Sequence, residues 1–179
     1  MSSKVNIWKI LKDHKATLVD QNTDKPGGDD ILFFLLIPVL SPILIVYVLG
    51  FDFGNYLDLR KTIVSSLAIF VGLLFNALVV LINIAKNGDT KNIRKKVIQQ
   101  LIANISFNII IAFIAVLFIL IRYIQIPSFV EVKYLPSTTQ IIDIISIGLL
   151  MSFFLTFLMI MKRTYLIINT EVEKTHDNK

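Results

Sequence analysis

ILFFLLIPVLSPILIVYVLG, residues Ile31 to Gly50, carries no charged side chain. At 1.5 Å per residue a helix of that length reaches about 30 Å, the thickness of a bilayer's hydrocarbon core, so the stretch predicts a membrane-spanning helix. Three later runs repeat its character: Ile63 to Ala85, Leu101 to Ile124 and Ile141 to Met161. The expectation is an all-α, polytopic membrane protein. A four-transmembrane-helix bundle occupies residues 31–161, residues 1–30 form a cytosolic amphipathic helix and linker, and residues 162–179 form a cytosolic extension of the last helix and a tail.

Composition agrees with that reading. The chain is 55% hydrophobic over 179 residues, above the roughly 45–50% of soluble domains. It has no Cys and two His, His14 and His176, both in terminal segments, which argues against thiol chemistry, disulfides or a His-based metal or catalytic centre. No paired intramembrane carboxylates, Ser–His pair or Gly-rich phosphate loop is present either, so the sequence predicts no enzyme, no cofactor and no metal. The net charge of +5 sits beside the apolar runs. There it sets orientation and meets anionic headgroups, and direct nucleic-acid binding is not expected.

Orientation follows from the flanking Lys and Arg. Fourteen lie before the first run, in the loop after the second and beyond the fourth, against four in the other two loops. The excess predicts an inner-membrane, multi-pass protein with both termini cytoplasmic. About 30 polar residues precede the first run, so no cleavable signal peptide is expected and that run stays in the mature protein.

Ser2 to Asp20 reads as an amphipathic helix with Ile7, Leu11 and Leu18 beside Trp8 and Lys4, Lys9, Lys12 and Lys15 for its polar side, lying on the membrane or on a cytosolic partner. Gln21 to Asp30 is a turn-rich linker, and Gln125 to Gln140, with Pro127 and Pro136, is expected outside the cell. Past Met161 the helical pattern continues to about Lys174, with Tyr165, Ile168 and Val172 on one stripe.

Inside the spans the polar and small residues carry the information. At 100° per residue, Ser65, Gly72, Asn76 and Asn83 fall on one stripe of the second span, and Asn104 and Asn108 begin a comparable stripe on the third. Antiparallel neighbours would bring the two stripes together, Asn83 near Asn104 and Asn76 near Asn108. Such amides act either as interhelical glue or as the lining of a wet crevice or oligomeric pore. Gly148, Ser152 and Thr156 repeat every four residues and predict a close helix-packing face. Arg122 and Asp143 lie at the same membrane side and either form an ion pair or snorkel separately to the headgroups. Pro38 and Pro42 remove two helical N–H groups and predict a kink, static or hinged.

The order of these features, with LIANISFN in the third span and FLTFLMIMKRTYLI leading out of the fourth, resembles small four-span prokaryotic membrane proteins of phage-defence systems. These are the Rex-type exclusion membrane protein, the Kiwa membrane subunit and the type VI-B CRISPR-associated membrane accessory proteins. The resemblance implies a homo-oligomeric effector or sensor of antiviral defence, phage resistance or abortive infection. Such a protein depolarises or permeabilises the membrane, or modulates a cytosolic nuclease partner. It transfers no site residue. A non-conducting anchor for a cytosolic partner, through Lys91 to Lys96 and the C-terminal helix, is the alternative; a small transporter is a third.

Overall fold

The structure is a computed structural model that describes residues 7–17, 32–86, 92–123 and 138–177. The linker at Gln21 to Asp30, Leu18, Lys91, most of the loop Gln125 to Gln140 and the side chains of Arg94 to Lys96, Ile168 and Val172 lie outside the described residues. The described chain is all-helical: α1 (Ile7–Thr17), α2 (Ile37–Tyr47), α3 (Leu57–Lys86), α4 (Asn92–Ile121) and α5 (Thr138–Asp177). A π-helical turn, Leu32–Leu36, leads into α2, and a 3-10 turn, Phe53–Asn55, leads into α3.

Three helices are long and apolar enough to cross a membrane: α3 over its full length, α4 over Val97–Ile121 and α5 over Thr138–Tyr165. At 1.5 Å per residue the 30-residue α3 and α4 are each about 45 Å long and the 40-residue α5 about 60 Å. The last helix therefore runs well past the apolar part of its own sequence, to Asp177.

The first predicted run is the shorter element. It is helical from Leu32 to Tyr47 rather than through Gly50, because Val48 and Leu49 turn and Gly50 takes φ +64°. Glycine adopts that left-handed conformation without a Cβ clash. The N–H groups of Leu49 and Phe51 then return to the carbonyls of Leu44 and Ile45, which closes the helix end. The π-helical turn sits just ahead of Pro38, where a missing N–H disturbs the regular i→i+4 ladder. Ser41 Oγ donates to the Ile37 carbonyl at 2.6 Å within the same helix.

Packing centres on α4. Of its apolar window 39% is buried, against 11% for α3, so α4 is the inner helix and α3 a peripheral one. Leu101, Ile105, Ile109, Ala112 and Ala115 of α4 meet Leu67 and Leu74 of α3 and Phe153 and Ile160 of α5 in one core. Two alanines in that row let the neighbours approach closely. Around Phe153, Phe157 of α5 lies near-parallel at 6.3 Å and Phe70 of α3 tilted at 5.9 Å, while Phe70 and Phe157 meet edge-on 5.3 Å apart at 63°.

α2 leans on α5 at Gly148. A Cβ built there would stand 2.8 Å from the Pro38 carbonyl oxygen and 3.5 Å from Pro42 Cγ. The carbonyl at Pro38 has lost its helical donor, because the residue four positions on is Pro42. Its oxygen faces the Cα hydrogen of Gly148 instead, a contact of the weak C–H···O kind. Thr156 is buried on the same helix and Ser152 half-buried, so the small-residue face at Gly148, Ser152 and Thr156 is turned inward. Replacing Gly148 by Ala forces a Cβ against the Pro38 carbonyl oxygen and should cost about 1–3 kcal/mol of thermal stability in detergent. Gly72→Ala, in mid-helix with nothing within 4 Å of its Cβ, should leave the melting temperature unchanged or raise it slightly. Equal melting of the two variants would refute the contact.

Candidate functional site

Two polar clusters mark the ends of the bundle. At one end Arg122, just past α4, places Nε 2.8 Å from Asp143 Oδ1 on α5 and also donates to Asp52 Oδ1. The three side chains grade from buried to wet: Asp143 is 2% exposed, Arg122 13% and Asp52 45%. The second Asp143 oxygen accepts from the Phe53 N–H at 3.1 Å, and Asp52 Oδ1 accepts from the Gly54 N–H at 2.6 Å. A Cβ on Gly54 would meet Asp52 Oδ1 at 2.8 Å and Arg122 Nη2 at 3.0 Å, so only glycine leaves room for this cradle. Arg60, buried on α3, donates from Nη1 to the Arg122 carbonyl at 3.1 Å and lies 4.5 Å over the Tyr123 ring. Two guanidiniums and two carboxylates cancel, which is how buried charge is tolerated at the end of an apolar bundle.

At the opposite end α1 lies against the flank of α4. The His14 ring stacks on Phe107 at 3.8 Å and 8°, and its Nδ1–H donates to Asn104 Oδ1 at 2.9 Å. Thr17 Oγ1 stands 2.7 Å from the same oxygen and 2.6 Å from the His14 carbonyl, so one hydroxyl proton is shared between two acceptors. Arg163 of α5 donates to the Thr17 carbonyl at 2.5 Å. Burial pushes the His14 imidazole below its ordinary value of 6.5; the hydrogen bond to Asn104 opposes this, and the Arg163 charge adds to it. The docked site thus favours the neutral ring over the imidazolium. A cleft of about 550 Å³ runs beside this contact, lined among others by Ile10, Asp13 and Thr17 of α1 and Gln99, Ala103 and Ser106 of α4.

α1 meets α4 by a face that its sequence pattern did not single out. Ile10 and Leu11 are half-buried and His14 and Thr17 buried, whereas Ile7 and Trp8, read as its apolar side, stand out. The reason is that α4 offers an amide and an aromatic ring at this level rather than a greasy slot.

The two predicted asparagine stripes do not meet. Asn104 and Asn108 are fully buried, but Asn104 is taken by α1, and among the described residues neither Asn108 side-chain atom nor Asn104 Nδ2 has a partner. Ser65, Gly72, Asn76 and Asn83 are all exposed on α3. Helical geometry explains it: Leu67 and Leu74 face α4, and at 100° per residue the stripe lies about 170° round the helix from them. Leu packing, which adds area at every second turn, decides the face of α3 ahead of two amides.

Arg122 and Asp143 are brought together, and Gly148 and Pro38 with Pro42 are brought together. His14, Thr17, Asp52, Gly54 and Arg60 belong to the clusters without having been singled out. For α1 the usable signal was the spacing of Ile10, Leu11, His14 and Thr17, which tracks one helical face; for Asp52 it was an Asx residue two before a glycine. No family model, curated protein or solved structure matches this chain.

Two measurements check these clusters. In detergent, Asp143→Asn and Arg122→Gln should each destabilise, and the double mutant should reveal a coupling of about 1–3 kcal/mol; additive losses would mean the contact contributes nothing. For His14 the folded-state pKa lies below the unfolded one, so its contribution to α1 docking is complete above pH about 6.5 and is lost as the pH falls through the lowered value. Amide exchange in α1, corrected for intrinsic rates, should quicken between pH 7.5 and pH 5 in the wild type and be pH-independent in His14→Gln.

Proposed function

We propose that the chain is a four-span protein of the cytoplasmic membrane, with both termini on the cytoplasmic side, that assembles with copies of itself into a membrane effector or sensor. One observation carries the assembly: Ser65, Gly72, Asn76 and Asn83 form an exposed polar stripe on α3, a helix of otherwise apolar, bilayer-spanning length. Hydrocarbon cannot hydrogen-bond those amides, so a second polar surface or a water-filled axis is the fitting neighbour. Around a symmetric axis the stripe would give a ring of amides, the material of a gated conduit.

The fourth span is supported by the path of the chain. Thr17 is tied to Asn104 and Arg163 at one end of the bundle and Asp52 to Arg122 at the other. Counting from Arg122 back to Asn104 along α4 gives about 27 Å, nearly a hydrocarbon thickness. The segment that holds α2 joins those ends, which supports α2 with its leading turn as a fourth, shorter crossing. The end with α1 is taken as cytoplasmic because exposed Lys12, Lys15, Lys86 and Lys162 gather there, whereas the arginines at the other end are neutralised.

The antiviral role, with depolarisation or control of a nuclease partner as its outcome, rests on the resemblance to phage-defence membrane proteins. The 40-residue α5, which outruns its apolar part, favours a second reading: a non-conducting anchor that holds a cytosolic partner by this helix. Membrane potential, read by dye in cells that express the chain with its genomic neighbours under phage challenge, separates them. An effector depolarises the cell, and Asn76→Leu with Asn83→Leu abolishes the response and weakens self-association about threefold per amide, the equivalent of ~0.6 kcal/mol each. An unchanged potential with intact protection leaves the anchor reading.

A further inference from the structure

The docking of His14 and Thr17 on α4 turns the outward side of α1 away from the bundle. Taking Ile7 as the origin and 100° per residue, Ile10, His14 and Thr17 point within about 60° of one another toward α4. Trp8, Lys12 and Lys15 form an equally narrow sector on the opposite side. Trp8 is 78% exposed, the largest exposure of any bulky apolar side chain described, and both lysines are exposed. The only carboxylate of α1, Asp13, is elsewhere, on the cleft beside Gln99 and Gln100. A tryptophan between two lysines thus faces away from the described bundle, with no carboxylate of α1 in the same sector.

Depth decides what lies opposite. α1 packs on the flank of α4, not under its end: His14 stacks on Phe107 and Thr17 meets Asn104, both within the apolar window Val97–Ile121. Phe107 and Asn104 stand about 22 and 27 Å along α4 from Arg122, so α1 sits at the inner boundary of the hydrocarbon. Its far side consequently looks along the membrane plane into the headgroup layer. Tryptophan is at its most stable at that level, and lysine meets anionic headgroups there. Lys162, exposed and about 28 Å from Asp143 along α5, lies at the same height.

We propose that Trp8, Lys12 and Lys15 form a docking surface for anionic phospholipid headgroups, which holds α1 between the bundle and the lipid. The proposal rests on the membrane orientation given above. Its test keeps the two apart, because insertion into a bilayer is read separately from lipid preference.

The chain has a single tryptophan, so its fluorescence reports this surface alone. The full-length protein is reconstituted into nanodiscs of phosphatidylcholine alone or of phosphatidylcholine with one quarter phosphatidylglycerol, each with and without a headgroup spin label. Incorporation, read by size exclusion, is expected in both and tests the bilayer reading; failure there overturns that reading and this proposal together. Given incorporation, headgroup quenching of Trp8 should rise about twofold or more with phosphatidylglycerol, and acrylamide quenching should fall. In Lys12→Gln/Lys15→Gln, or at 0.5 M salt, quenching should return to the phosphatidylcholine level. Quenching that is equal in both lipids and indifferent to the lysines would overturn the electrostatic proposal. A Trp8 open to acrylamide and untouched by the lipid label in both discs would exclude the lipid surface altogether and leave that face to a protein partner.

Discussion

Arg122 is where three segments of this chain are held in register. It lies at the end of α4, reaches Asp143 on α5 and Asp52 in the turn between α2 and α3, and offers its carbonyl to Arg60 on α3. Removing one charge from such a set strands its neighbours in a poorly solvated place, at a cost of about 3–5 kcal/mol for a fully buried pair. The consequence reaches past the cluster. With the heights of α3, α4 and α5 fixed at this end, the leucine and alanine rows below it fall opposite one another, and the aromatic set around Phe153 closes the middle.

Most of the architecture was legible in the sequence because membrane spans are read from length and composition, which tertiary context hardly alters. The positions of α3, α4 and α5 follow that rule, and the approach of α2 to Gly148 follows from a small residue facing two prolines. Faces were harder to read than spans. The polar stripe of α3 was visible, but which side of the helix would meet α4 depended on whether two asparagines or a heptad of leucines dominated. The leucines did, since packing area accumulates along the whole helix whereas an interhelical amide adds only about 0.6 kcal/mol. The face by which α1 meets α4 was not legible for a related reason: a pattern of apolar residues points to apolar surroundings, and here the neighbour is Asn104 with Phe107. A histidine that docks by stacking and a hydrogen bond leaves no hydrophobic signature.

The two ends of the bundle solve the same difficulty by different means. The Arg122 end neutralises charge with charge and admits water at Asp52. The Asn104 end pairs neutral groups, a hydroxyl and an imidazole whose charged form burial disfavours, with a single guanidinium, Arg163, on a backbone carbonyl, and leaves the deeper Asn108 without a partner among the described residues. The first arrangement is stiff, because it joins several elements through ionic hydrogen bonds. The second is held by one helix of 11 residues and a handful of polar contacts, which places α1 at the low-stability end of the molecule.

The order of synthesis adds a further consequence to the α1 contact. Thr17 is separated from Arg163 by 146 positions and His14 from Asn104 by 90. At roughly 5–20 residues per second, translation of the longer interval takes on the order of 7–30 seconds. The earliest-made of the described helices therefore cannot complete its contacts until Arg163 has been made. Its partners on α4, Asn104 and Phe107, come first, so the seat of α1 is built in two stages.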